Sequence, residues 1–189
     1  MCYNVSRSKP AYFLRRVVER MTITVIAVLC LIVDQLSKYL IAEYFANAAV
    51  QSVPIIENVL YFTYTENEGA AFGMLDGARW LFIVVTIAAC ALLIFWLVRQ
   101  KGRLHWLLKV SSGLIFSGAV GNLIDRIAFG YVRDFIHVNI RFAIFNFADC
   151  CVVVGAILFG IYLLFIHEKY QTLHKTEPQQ IGDERNDSQ

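Results

Sequence analysis

Two aspartates stand at places where an apolar chain has reason to avoid them. Asp134 lies in VRDFIHV, a short alternating stretch between two long apolar runs, and Asp149 lies in FNFADCC, at the mouth of the last run. A carboxylate at membrane depth costs about 2.5 to 3.5 kcal/mol on insertion scales. Two carboxylates sharing a site titrate as a coupled pair that keeps one proton between them. The ionised partner can deprotonate a water, and the protonated one can polarise a carbonyl. That is the chemistry of a metal-free hydrolase. Other nucleophile systems lack their parts. HExxH is absent, and no Ser/His or Cys/His pair has compatible placement. His105 and His167 fall at the far ends of their spans, and His137 is a lone histidine on a polar strand face.

The elements that must position these aspartates are membrane spans. The 189 residues are 58% hydrophobic and 17% charged, with mean hydropathy +0.55. Soluble domains are usually about 45–50% apolar and about 25% charged. A net charge of +2 gives nucleic-acid binding no electrostatic support. The five cysteines, Cys2, Cys30, Cys90, Cys150 and Cys151, form no CxxC or Cys/His ligand spacing and read as small hydrophobes.

Four stretches are long enough to cross about 30 Å of hydrocarbon: 21–45, 79–98, 105–128 and 147–167. Basic residues precede the first span, join the second to the third (Arg99, Lys101, Arg103) and follow the fourth. The connection 46–78 has no Lys or Arg but has Glu57, Glu66, Glu68 and Asp76. Both termini are therefore expected in the cytoplasm, with 46–78 and 129–146 outside. Arg133 and Arg141 are the exceptions in the second outer connection. Residues 1–20 read as a basic cytoplasmic segment, 21–167 as the membrane domain and 168–189 as a polar tail. An uncleaved first span is preferred to a signal peptide, because the apolar run is long and Asp34 and Lys38 interrupt it.

Both outer connections have strand character. NVLYFTYTE is rich in β-branched and aromatic residues. YVRDFIHVNIRF alternates with period two, setting Val132, Asp134 and Ile136 on one face and Arg133, Phe135 and His137 on the other. The expected fold is a mainly α membrane protein: a four-transmembrane-helix bundle with a small extramembrane antiparallel β-sheet on its outer face.

Further polar groups map to the same outer end. Asp34 and Lys38 share a helical face, as a structural ion pair or as substrate-orienting groups. Asn67 and Gly69 lie in ENEGAAFG, which is a tight turn or a place of close backbone approach with Ala70 and Ala71. Gly118 and Gly121 offer a small helix-packing surface. Asn122, Asp125 and Arg126 share one face, as a polar knot or with Asp125 acting directly. Asn146 can cap the last helix, in whose first turn Asp149 would also favour the dipole. Besides a hydrolase, the pieces admit a proton-coupled carrier with relay carboxylates at several depths, or a non-enzymatic assembly factor. A hydrolase predicts carboxylates clustered at one end.

DQLSK, NEGAAFG, GAVGNLIDR, VRDFIHV and FNFAD, in this order on four spans, resemble signal peptidase II, the lipoprotein signal peptidases. The resemblance covers about 34–155. It implies an aspartic endopeptidase of the bacterial plasma membrane, active at its outer face, cleaving prolipoproteins on the N-terminal side of a diacylglyceryl-modified cysteine. Carried over by motif, Asp134 and Asp149 would be the catalytic pair. Asp34, Lys38, Asn67, Gly69, Gly118, Asn122, Asp125, Arg126 and Asn146 match positions that bind substrate or support the site. The implied partners are diacylglyceryl-prolipoprotein substrates, membrane lipid and globomycin-type inhibitors, with no cofactor, no metal and a monomeric enzyme. Ser117 stands where a second glycine is common and Cys150 where a serine is common, and the stretch from Asp134 to Asp149 is short.

Overall fold

A computed structural model describes residues 9–69, 77–100, 104–139, 143–168 and 170. Helix α1 (Lys9–Asn47) is followed by strands β1 (Val53–Ile56) and β2 (Leu60–Asn67), helices α2 (Arg79–Arg99) and α3 (Trp106–Ala128), strand β3 (Val132–Val138) and helix α4 (Phe147–Ile161). A π-helical turn, Tyr162–Ile166, extends α4. The protein is mainly helical with one small sheet, as the sequence predicts. Ala70, Ala71, Arg141 and the tail beyond Tyr170 lie outside the described residues.

Among the described residues, three helices are long and apolar enough to cross a membrane: α2, α3, and α4 with its π turn. Their outer surfaces are unusually apolar: Val84 and Val85 of α2 and Val153 and Ile157 of α4 are all more than half exposed. Such a surface is stable against lipid and costly against water. Helix α1 runs 39 residues, so its helix reaches well back into the stretch read as a separate basic segment. It packs on α3 and α4, and α3 sits at the centre of the bundle.

Glycines set how closely these helices approach. A Cβ on Gly118 would strike the Ala148 carbonyl and Val152, and one on Gly121 would strike the Asp34 carboxylate. Helix α3 therefore presses on α4 at the first glycine and on α1 at the second. After α3 the chain turns through Gly130, whose φ of +95° suits a residue without Cβ, directly into β3.

The sheet has order β1-β2-β3, antiparallel throughout. The sequence signalled β2 and β3, and β1 is an addition, a four-residue edge strand containing Pro54. The expected division of β3 into an apolar and a solvated face does not hold. Val132, Arg133, Asp134 and Phe135 are all buried. Asp125 of α3 and Gln35 of α1 cover Arg133, Phe62 packs on Phe135, and Asn146 closes the Asp134 side, so Arg133 and Phe135 do not face water.

One irregularity aims a side chain. Phe62 pairs with Ile136 but Thr65 pairs with Asp134, so β2 carries one extra residue between them. Paired residues share a face, and the face alternates along each strand. Without the bulge Glu66 would lie diagonal to Asp134. With it, Asn67 does.

Candidate active site

Asp134 is 2% exposed, and both its oxygens accept from asparagine amides. Asn67 Nδ2 donates to Oδ2 at 2.8 Å and Asn146 Nδ2 to Oδ1 at 2.6 Å. Asp149 is half-buried in the first turn of α4. Its Oδ1 accepts from Asn122 Nδ2 at 2.7 Å and its Oδ2 from the Asn146 backbone N–H at 3.0 Å. The Asn146 side-chain oxygen accepts in return from the Asp149 N–H at 3.0 Å, completing a capping box. Asp149 is thus a capping residue, and its carboxylate also lines the cavity beside Asp134.

The two aspartates are tied by one residue, Asn146, which bonds Asp134 through its side chain and Asp149 through its backbone. A second tie runs from Asn146 Nδ2 to Asn122 Oδ1 at 3.1 Å and on to Asp149. Burial raises the Asp134 pKa from 3.8 to about 6. The negative charge of Asp149 pushes the same way, against the amide bonds and Lys38. Near neutrality one carboxyl of such a pair can hold a proton while the other accepts one.

Beneath the pair lies a buried charged layer. Lys38 donates to Asn122 Oδ1 at 2.9 Å and pairs with Asp34 at 3.0 Å and Asp125 at 3.5 Å. Asp34 also accepts from the Ala148 N–H at 2.9 Å, which fixes the start of α4 against α1. Asp125 is wholly buried and engaged on both oxygens by Arg133. It does not line the cavity, whereas Asn122 and Arg126 from the same helix do. Asp34 and Lys38 form a buried ion pair outside the cavity lining, and Asp125 is enclosed by bonds to Arg133 and Lys38.

Arg126 reaches across to the Gly69 carbonyl at 3.1 Å and stacks over Phe82 at 4.7 Å. The Gly69 N–H donates to Asn67 Oδ1 at 3.0 Å, so the bend after β2 orients the amide that serves Asp134. Gly118 sits away from the cavity, in the α3–α4 contact. His137 pairs with Thr63 at 3.2 Å rather than standing free in solvent.

Gln35 and Arg133 were not singled out from the sequence. Gln35 Nε2 contacts Asp34, the Gly121 carbonyl and Asp125, and its oxygen accepts from Arg133. The available signal was an unusual charge inside an otherwise apolar strand segment.

A cavity of about 500 Å³ opens over Asp134 and Asp149. Asn67, Gly69, Asn122 and Arg126 supply its polar edge, and Val132, Ile144, Phe145, Val153 and Val154 its apolar wall. Asp34, Lys38, Asn122, Asp125, Arg133, Asp134 and Asn146 gather at this end, while the buried Glu19, Ser111 and Ser112 lie elsewhere along α1 and α3.

The family model for signal peptidase (SPase) II matches residues 26–165. Two relatives, each called lipoprotein signal peptidase, are 42% identical (Halothermothrix orenii) and 44% identical (Bacillus velezensis). Each comparison covers 74% of this chain and 92% of the relative. A solved structure described as a bacterial membrane enzyme superposes with TM-score 0.69 at 38% identity, covering 76% of this chain and 87% of the other. A second of the same description gives 0.68 at 37%, covering 77% and 94%. With the match spanning both aspartates and every residue that holds them, the chain belongs to the signal peptidase II family of aspartic peptidases.

Proposed function

We propose that this protein removes signal peptides from prolipoproteins, cleaving on the N-terminal side of a diacylglyceryl-modified cysteine with a water activated between Asp134 and Asp149. The observation that carries this reading is the pair itself, two carboxylates from different elements held by Asn146 at one cavity. Asp149 takes a proton from the water as its oxygen attacks the scissile carbonyl. Asp134 gives its proton to the carbonyl oxygen. As the tetrahedral intermediate collapses, the hydroxyl proton returns to Asp134, the C–N bond breaks and Asp149 protonates the leaving amine. The raised pKa of Asp134 favours the proton donor's role for it.

The membrane setting follows the same reading. Helix α1 supplies a fourth span: Val25, Leu29, Ile32 and Leu36 are each more than half exposed, as lipid-facing side chains are. Lys/Arg asymmetry puts both termini in the cytoplasm and the cavity at the outer face. Val153 and Val154 line the cavity and are 57% and 48% exposed, so its apolar wall is open to lipid. An apolar helical signal peptide and two acyl chains fit such a lateral entrance. A globomycin-type inhibitor would occupy the same space. The protein works as a monomer on this reading.

The test uses purified protein and a synthetic diacylglyceryl-cysteine prolipoprotein peptide in detergent. Asp134→Asn and Asp149→Asn should each abolish cleavage at unchanged folding. Normal turnover by either variant removes that residue from the pair.

A further inference from the structure

Arg133 is next to Asp134 in sequence, yet its side chain leaves the cavity altogether. Its backbone N–H donates to Asp125 Oδ2 at 3.0 Å. Its Nε donates to the same oxygen at 3.1 Å and its Nη2 to Asp125 Oδ1 at 2.8 Å. The Nη2 group also reaches Gln35 Oε1 at 3.1 Å. The guanidinium carbon lies 4.6 Å from the centre of the Phe129 ring. One side chain therefore joins α3, α1 and the turn that leads into β3, and the residue is only 8% exposed.

Two physical points give this joint a purpose. First, paired side-chain and main-chain bonds to one carboxylate fix the strand's translation and its rotation together. A two-pronged guanidinium does this and an ammonium does not. The next residue along the fixed backbone is Asp134. Second, the layer beneath the candidate catalytic pair holds Asp34 and Asp125 against Lys38 and Arg133, two charges of each sign. Taking Arg133 away leaves one carboxylate of that layer unmatched. The other titratable groups near Arg133 are Glu66, its partner on β2, Tyr64 and Tyr131, and none of them supplies a cation.

We propose that Arg133 is a positioning residue for the peptidase reaction. By gripping Asp125 and Gln35 it sets the backbone of β3, and through it the placement of the Asp134 carboxyl against Asp149. This rests on the reading of Asp134 and Asp149 as the catalytic pair. Gln35 is the second part of the device, since it is the contact through which α1 holds the guanidinium.

The experiment measures Arg133→Met, Arg133→Lys, Gln35→Leu and Asp134→Asn in the full-length protein, with the lipopeptide assay run from pH 5 to 8. A displacement near 1 Å can cost roughly 100-fold in rate. Arg133→Met should lower kcat by roughly 10- to 100-fold with KM changed by less than about threefold. It should also move the alkaline limb of kcat/KM to higher pH, because a cation has left the neighbourhood of Asp134. Arg133→Lys should restore the limb but only part of kcat. Gln35→Leu, which removes no charge, should lower kcat by roughly two- to fivefold without moving the limb. It keeps the question open to test if Arg133→Met does not fold. Should Asp134→Asn be inactive while folded Arg133→Met and Gln35→Leu both keep the wild-type kcat and pH profile, the positioning role is overturned and the catalytic pair stands. Should Asp134→Asn remain active, the catalytic reading itself fails.

Discussion

Asn146 Nδ2 lies 2.6 Å from Asp134 Oδ1, while the backbone N–H of the same asparagine lies 3.0 Å from Asp149 Oδ2. A single residue at the start of α4 thus serves both aspartates and caps its own helix. Asn146→Ala removes the side-chain bond to Asp134, the link to Asn122 and the cap on the Asp149 N–H. Loss of an N-cap costs about 0.5–2 kcal/mol. The expected result is a lowered thermal midpoint in detergent together with a fall in kcat of roughly 100-fold or more, well beyond what the stability loss explains. Thermal unfolding and turnover measured on one preparation separate the two effects.

The pH profile should carry the mark of Asp134. Its pKa in the folded protein is about 6, against 3.8 ordinarily. The proton-donating form therefore dominates below about 6 and is lost above it, giving kcat/KM an alkaline limb in that region. Bound substrate excludes water and deepens the burial, so the limb of kcat should lie at higher pH than that of kcat/KM. For stability the sign is fixed by the same shift. The folded state binds this proton more tightly than the unfolded chain, so this group's contribution declines as pH rises from about 4 to about 6 and is flat beyond. Steady-state rates at saturating and at limiting lipopeptide distinguish the two limbs.

Gly121→Ala should be far more damaging than a methyl on a helix surface. The added Cβ would meet the Asp34 carboxylate, which also holds Lys38 and the Ala148 N–H. Overpacking of this sort costs about 1–3 kcal/mol. Because Asp34 anchors the first turn of α4, activity should fall along with the thermal midpoint. An Ala at Gly160, where nothing lies within 4 Å of the added Cβ, is the control and should leave both unchanged.

The phase of β2 offers a test by insertion. An alanine inserted between Thr65 and Glu66 sets Glu66 opposite Val132, the place that Asn67 now holds. Strand alternation then turns Glu66 toward Asp134 and Asn67 away. A carboxylate replaces an amide donor beside the buried aspartate, so cleavage should be lost while the helical signal in circular dichroism persists. Adding Glu66→Gln to the insertion should recover part of the activity.

Much of this was legible in the sequence, because short-range chemistry carried it. Asn146 and Asp149 are three apart, which is the spacing of a capping box, and Asp34 and Lys38 are four apart, which is the spacing of a helical ion pair. What stayed hidden depended on a neighbour from another element. Arg133 alternates onto what reads as the wet face of β3, and only the approach of α3 and α1 makes that face dry. Gln35 is an ordinary polar residue until Arg133 and Asp125 arrive from about ninety residues away in the chain. The bulge shifts the phase of β2 without any glycine or proline to announce it. Asp125 reads as part of a polar knot or as acting directly, and the Arg133 bonds that hold it come from the next element of the chain, on a strand that reads as alternating between faces.

The exposed valines of the cavity wall carry a kinetic consequence. If substrate enters between Val153 and Val154 from the lipid, the enzyme never meets it in three dimensions. The relevant abundance is then molecules per area of bilayer, and KM has its meaning as a mole fraction of lipid. Diluting the same enzyme and lipopeptide with inert detergent, at constant amounts per volume, should lower the observed rate as though substrate had been withdrawn. Doubling the aqueous volume at a fixed lipid composition should leave turnover per enzyme untouched. Competition among substrates would accordingly be settled by crowding within the membrane plane.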